Sequence, residues 1–369
     1  MAGIYIHIPF CRRACHYCNF HFSTSLRYKN ELVAALLEEI RMQKDFPGLD
    51  PVSSIYIGGG TPSLLETGEI RQLLHAIHAQ FNVTADAEVT LEANPDDISE
   101  EKLTGWQEAG INRLSIGIQS FFEEDLQWMN RAHTATQAIT QLQLALQYFK
   151  NITIDLIYGT PGLTHEKWKA NVEQAISLGI PHLSCYALTV EPKTPLDKLI
   201  RNHEKTDVNP DQQSEQFLLL MEWLEAAGYE HYEISNFAIP GSRSRHNSSY
   251  WQQQPYLGIG PAAHSYNGRE RQWNIANNNT YISQIAGGLI PFEKEILTDV
   301  QRLNENTMTS LRTMEGLDMG IFDEKQAALI KAVAKKYIDG GHMIRNGSRL
   351  LLTRTGKLLA DGIAADLFI

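Results

Sequence analysis

Short apolar runs recur along the first half of the chain. Each is followed by a longer stretch whose apolar residues return every three or four positions. The runs fall at 4–8, 54–57, 89–91, 113–118, 152–157 and 182–187 and are rich in Ile, Val, Leu or Tyr, as buried strands are. Helical spacing occupies 28–44, 68–80, 100–109, 136–149 and 166–177. Ser99 and Thr164 stand where two of these helices need an N-cap, with Glu101 and Glu166 close behind them, near the helix start where a carboxylate is favoured. Strict alternation of strand and helix predicts an α/β fold with a parallel sheet and right-handed crossovers. Six such units make a partial barrel, and in parallel α/β folds the ligand sits at the carboxyl ends of the strands.

Beyond residue 187 the pattern is less regular. Residues 211–227 read as a helix stopped by Gly228, and 229–234 as a further strand. Residues 236–266 are rich in Gly, Pro, Ser and aromatics and read as a structured loop region. From about residue 297 a separate unit is expected: helices over 299–312 and 324–340, then two short strands around the Asn346-Gly347 turn. The expected division is therefore 1–235 for the barrel, 236–296 for a connecting region and 297–369 for a small C-terminal domain.

Length and composition agree with this division. A chain of 369 residues has room for one large α/β domain and a smaller one. A formal net charge of −11 argues against general nucleic-acid binding, which needs an excess of Lys and Arg. The apolar runs are too short for a membrane span, and Met1-Ala2-Gly3-Ile4-Tyr5 does not begin a secretory signal. A cytoplasmic protein is expected.

Of the four cysteines, three cluster as Cys11, Cys15 and Cys18. That is a metal-site pattern of reducing compartments, not a disulfide framework. Cys185 lies in an apolar strand and reads as a buried thiol. The spacing Cys-x3-Cys-x2-Cys follows the first strand. Three thiolates can each hold one iron of a [4Fe–4S] cube, leaving the fourth iron open to a small molecule, where ferredoxin-type carriers close it with a fourth cysteine. Zinc, with His16 or His21 as fourth ligand, and plain core thiols are the alternatives; the rest of the chain favours the cluster.

With this loop in place, the sequence resembles the radical S-adenosylmethionine (SAM) superfamily. Within it, the resemblance is to the group that contains oxygen-independent coproporphyrinogen III oxidase and the HemW-type heme chaperones, and it covers nearly the whole chain. It implies a radical SAM partial (β/α)6 barrel followed by a small winged-helix-like C-terminal domain. It also implies that SAM chelates the open iron through its amino and carboxylate groups, and that an electron from the cluster can cleave the sulfonium to methionine and a 5′-deoxyadenosyl radical.

The remaining site residues follow strand ends. Gly58-Gly59-Gly60-Thr61 lets a ligand approach the backbone and offers amide N–H groups to an anion; Gly59, Gly60 and Thr61 match the family segment that holds the amino-acid end of SAM. Glu92 can accept hydrogen bonds from a ribose or an ammonium group. Gln119 ends the fourth strand, and Arg131 can pair with a carboxylate. Asp155 is a charge inside an apolar strand, costly unless it faces a polar ligand. Each of these, taken singly, is as well explained by an ordinary structural hydrogen bond; the ordered set is what matches the family. Tyr5 and Tyr17 flank the cysteines, and Tyr17 is expected to shield the cluster or the adenine.

Two departures separate the close relatives. Where the oxidase has a fourth cysteine, two residues past the third, this chain has Phe20, and only ten residues precede Cys11. Both departures resemble the HemW type. So does Arg245-His246-Asn247-Ser248-Ser249-Tyr250-Trp251, which fits a His-Asn-x-x-Tyr-Trp motif. Imidazole can ligate heme iron, and Tyr and Trp offer flat faces to a porphyrin. A packed aromatic corner is the plainer explanation of the same residues. His246, Asn247, Tyr250 and Trp251 are the expected heme contacts, with His264 as a weaker candidate. The function implied is binding heme and passing it to acceptor proteins; oxidative decarboxylation of coproporphyrinogen III is the alternative. The resemblance further implies possible homodimerisation and peripheral contact with membrane-bound acceptors.

Overall fold

The structure, a computed structural model, describes residues 2–369. The first half runs β1 (Ala2–Ile8), α1 (Lys29–Met42), β2 (Val52–Gly59), α2 (Thr67–Gln80), β3 (Val83–Ala93), α3 (Glu100–Ala109), β4 (Arg113–Gln119), α4 (Glu123–Trp128), α5 (Ala135–Tyr148), β5 (Ile152–Tyr158), α6 (His165–Ser177) and β6 (His182–Ala187). The Ser99 and Thr164 side chains cap α3 and α6 by accepting from the Lys102 and Lys167 amides. Only α4, too short to show a helical period, was not expected.

Strands β1 to β6 lie side by side in chain order, all parallel. Sequential order with a helix between each pair puts the helices on one face, so the sheet has a covered side and a luminal side. The strands alternate accordingly. Ile4, Ile6, Ile55, Ile57, Leu91, Leu114, Ile116, Ile154, Leu156 and Leu183 are fully buried in the main core. Their neighbours Tyr5, Tyr56, Glu92, Arg113, Asp155 and Tyr186 take the other face. Tyr186 is 43% exposed although it lies inside the sheet.

The chain then forms α7 (Pro195–Arg201), α8 (Pro210–Ala226), β7 (Glu230–Glu233), β8 (Asn236–Ala238), α9 (Arg245–Trp251), β9 (Tyr256–Ile259), β10 (His264–Tyr266), β11 (Glu270–Asn274), α10 (Asn278–Ala286) and β12 (Phe292–Ile296). The stretch read as loop thus carries regular elements. β9 joins β1 in parallel, Ile4 opposite Leu257. β10, β11 and β12 extend that edge antiparallel, and β8 and β7 extend the other, giving twelve strands in one sheet. Glu39 ties this extension to α1: its carboxylate accepts from Gly260 N, Asn274 Nδ2 and Tyr281 OH at 2.7, 2.7 and 2.5 Å.

Helix α9 closes the amino-terminal end of the lumen. Glu88 accepts from the backbone amides of Arg245 and His246 at 3.0 and 2.9 Å. The buried Arg113 guanidinium lies 3.9 Å from the same carboxylate and donates to Thr90 and Thr153.

The last segment has its own core, with Leu311, Leu317, Ile330, Met343, Leu350 and Ile363 at its centre. It comprises α11 (Asp299–Leu311), β13 (Leu317–Asp318), α12 (Glu324–Asp339), β14 (Met343–Asn346), β15 (Arg349–Leu352), α13 (Arg354–Lys357) and α14 (Ala360–Asp366). It docks on the barrel through Ile234 N to Arg312 O, Met314 N to Tyr232 O, and an Arg243–Glu315 ion pair at 2.8 Å. Among the described residues no helix is long and apolar enough to cross a membrane.

Candidate functional site

The cysteine loop leaves β1 at the carboxyl end of the parallel strands. Its backbone is held from both sides. Cys11 N donates to Ser23 O, Cys18 N to Cys15 O and His16 N to Met129 O. Asn130 Nδ2 reaches Ala14 O at 2.7 Å, and Asn130 itself has φ +59°, a left-handed conformation that Asn tolerates. His16 is spent on this clamp, its Nδ1 3.1 Å from Trp128 O, and His21 Nε2 is bonded to Asn278 Oδ1. Neither histidine is free to complete a zinc tetrad with the ring nitrogen named.

Cys11, Cys15 and Cys18 are all half-buried and unpaired. Burial pushes the Cys11 thiol up to about 11, against the pull of the Thr61 hydroxyl, and burial raises Cys18 as well. All three thiols are close enough to influence one another's charge. Such a set ionises when iron supplies the compensating charge. Among the described residues no three metal-binding side chains are gathered to hold a metal ion unaided. Cys185 is buried in β6, on the helix-covered face.

The glycine run is packed against this loop. Gly60 N donates to Ile8 O and Thr61 N to Phe10 O. A Cβ on Gly60 would stand 2.5 Å from Phe10 O and 3.0 Å from Cys11 Sγ. Gly59 has φ +112°, and a Cβ there would press on the His7 ring at 2.7 Å. These glycines are therefore needed to seat the cysteine loop, and the amides that the sequence offered to an anion are engaged, Gly60 and Thr61 on that loop and Gly59 on Glu92.

Glu92, Gln119, Asp155 and Arg131 gather at the same end. Glu92 accepts from Tyr56 OH at 2.8 Å and Gly59 N at 3.0 Å. Burial lifts its pKa to about 7, with the Tyr56 hydrogen bond opposing and Asp155 adding to the rise. Burial lifts Asp155 to about 6, opposed by Ser184. Gln119 is a buried non-glycine residue at φ +68°, a strained backbone of the kind concentrated at functional sites. Arg131 donates to Asn94 Oδ1 and Gly117 O at 2.7 and 2.8 Å and reaches Cys15 Sγ at 3.4 Å, while its Nε is buried without a partner. A Cβ on Gly117 would lie 3.0 Å from both Arg131 Nη2 and Gln119 Nε2. Tyr17 is beside Cys15, Cys18 and Arg131, and burial raises its hydroxyl pKa. Sequence reasoning did not assign Tyr56, Asn94 or Asn130; the polar positions alternating within β2 were the available signal for Tyr56.

A second feature adjoins this end: a cavity of about 790 Å³ where the barrel rim, the cysteine loop, α9, the β9–β11 face and α11 meet. Tyr5, Phe20, His21, Tyr250, Trp251, Tyr256, His264, Tyr266 and Met308 are among its walls. Its volume is within the range of cofactor sites. The Trp251 indole N–H is buried there without a hydrogen-bond partner. Phe20 is 67% exposed.

The structure revises the role expected of His246. Its imidazole is 1% exposed, with Nδ1 2.8 Å from Ser54 Oγ and Nε2 2.8 Å from Tyr250 OH. Its ring stacks on Tyr56 at 5.1 Å. With both nitrogens engaged inside the lumen, it has no lone pair to offer an iron. Asn247 lies in the first turn of α9, its amide donating to Ser244 Oγ, and does not line the cavity. Tyr250 and Trp251 do.

A sequence model of the Radical SAM superfamily matches residues 5–200. The heme chaperone HemW of Bacillus subtilis is 35% identical over 371 aligned residues, covering 98% of each chain. HemW of Escherichia coli is 38% identical over 268 residues, covering 71% of this chain and 69% of its own. The solved structure of coproporphyrinogen III oxidase (HemN) from Escherichia coli, a radical SAM enzyme, superposes with a TM-score of 0.85. That match covers 100% of this chain and 90% of the other at 24% identity, and it shows the shared fold. Superfamily membership implies a [4Fe–4S] cluster and SAM, which the thiol set and the glycine cradle suit. The chain belongs to the radical SAM superfamily and, within it, to the HemW family.

Proposed function

We propose that this chain carries heme, as its HemW relatives are named for doing, and passes it to acceptor proteins. The cavity is the observation that carries this reading: aromatic walls of porphyrin-binding type, imidazoles at the rim, and a location against the cysteine loop. Cys11, Cys15 and Cys18 hold the [4Fe–4S] cluster. Gly59, Gly60 and Thr61 let the amino-acid end of SAM approach the backbone closely, and Glu92, Gln119 and Asp155 meet its polar groups from the lumen. Arg131 places a positive charge beside the Cys15 sulfur, and Tyr17 covers the loop. The cluster, when bound, supplies an electron to SAM.

Phe20 bears on the choice between carrier and oxidase. It stands where the oxidase has a further cysteine, and here it forms cavity wall. The carrier reading places the protein in the cytoplasm, with acceptors that include membrane-bound proteins met peripherally. It includes a homodimer, tested by sizing the protein with and without its cluster.

The deciding experiment uses the anaerobically reconstituted protein. One sample is titrated with hemin. Another is incubated with SAM, a reductant and coproporphyrinogen III. Saturable heme binding with little protoporphyrinogen supports the carrier. Multiple-turnover conversion without heme binding establishes the oxidase instead.

A further inference from the structure

Three histidines border the cavity, and they differ in what their nitrogens already do. His7 has both engaged, with Tyr5 OH at 3.0 Å and His21 O at 2.9 Å. His21 has Nε2 on Asn278. The His264 side chain is exposed and its imidazole makes no hydrogen bond among the described residues; its ring centroid lies 6.2 Å from that of Trp273, with an interplanar angle of 30°.

The ladder between β10 and β11 fixes what accompanies it. His264 pairs with Trp273, and Tyr266 with Arg271. Residues paired in an antiparallel ladder share a face, and positions two apart repeat on it. His264, Tyr266 and Arg271 therefore point the same way, and all three line the cavity. The ladder positions of His264 and Arg271 are two residues apart, about 7 Å along the strand direction.

We infer that His264 takes the iron of a heme held in this cavity and that Arg271 receives one of its propionates. The inference rests on the heme-carrier reading and names the ligand within it. Trp273, the cross-strand partner of His264, flanks the imidazole on the same face of the ladder. The turn into β10 is held by Ala262 at φ +60°, a strained non-glycine position. Arg271 already binds carboxylates, Glu305 at 2.6 Å and Glu295 at 3.5 Å. A propionate presents the same chemistry and can replace Glu305.

The test compares hemin with iron-free protoporphyrin IX, which has the same propionates. Wild type, H264A, H21A and R271A are titrated with each, and iron–sulfur content is measured alongside. H264A should lose the absorption spectrum of imidazole-ligated heme and bind hemin about tenfold or more weakly, with protoporphyrin binding unchanged. R271A should weaken both ligands about tenfold. An unaltered heme spectrum in H264A, or loss of that spectrum in H21A instead, overturns the assignment of His264. Protoporphyrin binding by R271A equal to wild type overturns that of Arg271. A wild type that binds neither ligand overturns the carrier reading together with both assignments.

Discussion

His246 Nδ1 and Ser54 Oγ meet at 2.8 Å inside the barrel, in a niche that exists because residue 3 is glycine. A Cβ on Gly3 would stand 3.0 Å from the His246 ring and from Ser54 Oγ. The first half of the His-Asn-x-x-Tyr-Trp motif therefore fastens α9 into the lumen, and its second half turns Tyr250 and Trp251 toward the cavity. The Tyr250 hydroxyl links the two parts through its 2.8 Å contact with His246 Nε2.

Removing this imidazole should destabilise the protein more than it changes heme ligation. H246A leaves the Ser54 and Tyr250 hydroxyls without their partner and opens a void. Denaturant unfolding should show a loss of about 3 kcal/mol at neutral pH. The heme spectrum should keep its imidazole signature. A spectrum altered at unchanged stability would return His246 to the role of ligand.

The same residue sets a pH dependence. Burial, and then the Arg113 charge, lower its pKa to about 3. An unfolded chain protonates this imidazole near 6.5, while the folded one keeps it neutral. Protons thus favour the unfolded state as pH falls from 6.5 toward 3. The stability advantage of wild type over H246A should shrink by about 1.4 kcal/mol per unit below pH 6.5. A constant difference between pH 7 and pH 5 would show that the imidazole protonates as readily in the fold as in the unfolded chain.

The cysteines should divide by face. C11A, C15A and C18A should each lose the cluster, because two anchored irons do not hold the cube. C185A should retain about four irons per chain, since that thiol is in the core on the helix side of β6. Iron and sulfide analysis of the four reconstituted variants decides. A C185A protein without cluster and a C15A protein with one would reverse the assignment.

Much of the barrel was legible because six buried strands are read from apolar runs, whatever their partners. The luminal side was less so. Tyr5, Tyr56 and Tyr186 belong to a polar face, but a tyrosine among Ile residues reads as core. Strands β9 to β12 are short, and β11 and β12 are largely polar; pairing with β1 and with one another makes them strands, and a single sequence does not display that pairing. The three cysteines announced themselves by spacing. His246 and His264 did not separate, because burial of the first depends on Gly3 and Ser54, far away in the chain. Exposure of the second depends on where α11 comes to rest.

Gly60 and Asp155 should fail differently. Val at position 60 would collide with Phe10 O and Cys11 Sγ, so G60V should lower iron content as well as SAM binding. D155N keeps the shape of the lumen and removes only an anionic acceptor, so the cluster should remain while SAM binds about tenfold more weakly. Equilibrium dialysis and iron analysis on both variants read the two effects separately. Wild-type SAM affinity in D155N would remove Asp155 from the site.

Filling the cavity tests its use directly. Thr309 lines it from α11, and its hydroxyl is bonded only within its own helix, to Glu305 O and Asn306 O. A tryptophan there adds an aromatic ring to the space a porphyrin would occupy and replaces no residue of the cysteine loop or the glycine run. T309W should keep its cluster and its SAM affinity while hemin and protoporphyrin binding both fall, about tenfold or more if the ring excludes the ligand from its apolar contacts. The cluster is the internal control: the cavity and the thiols share the wall formed by residues 19–21, so a damaged loop would show as lost iron. Full heme binding in T309W with the cluster intact would place heme elsewhere on the protein.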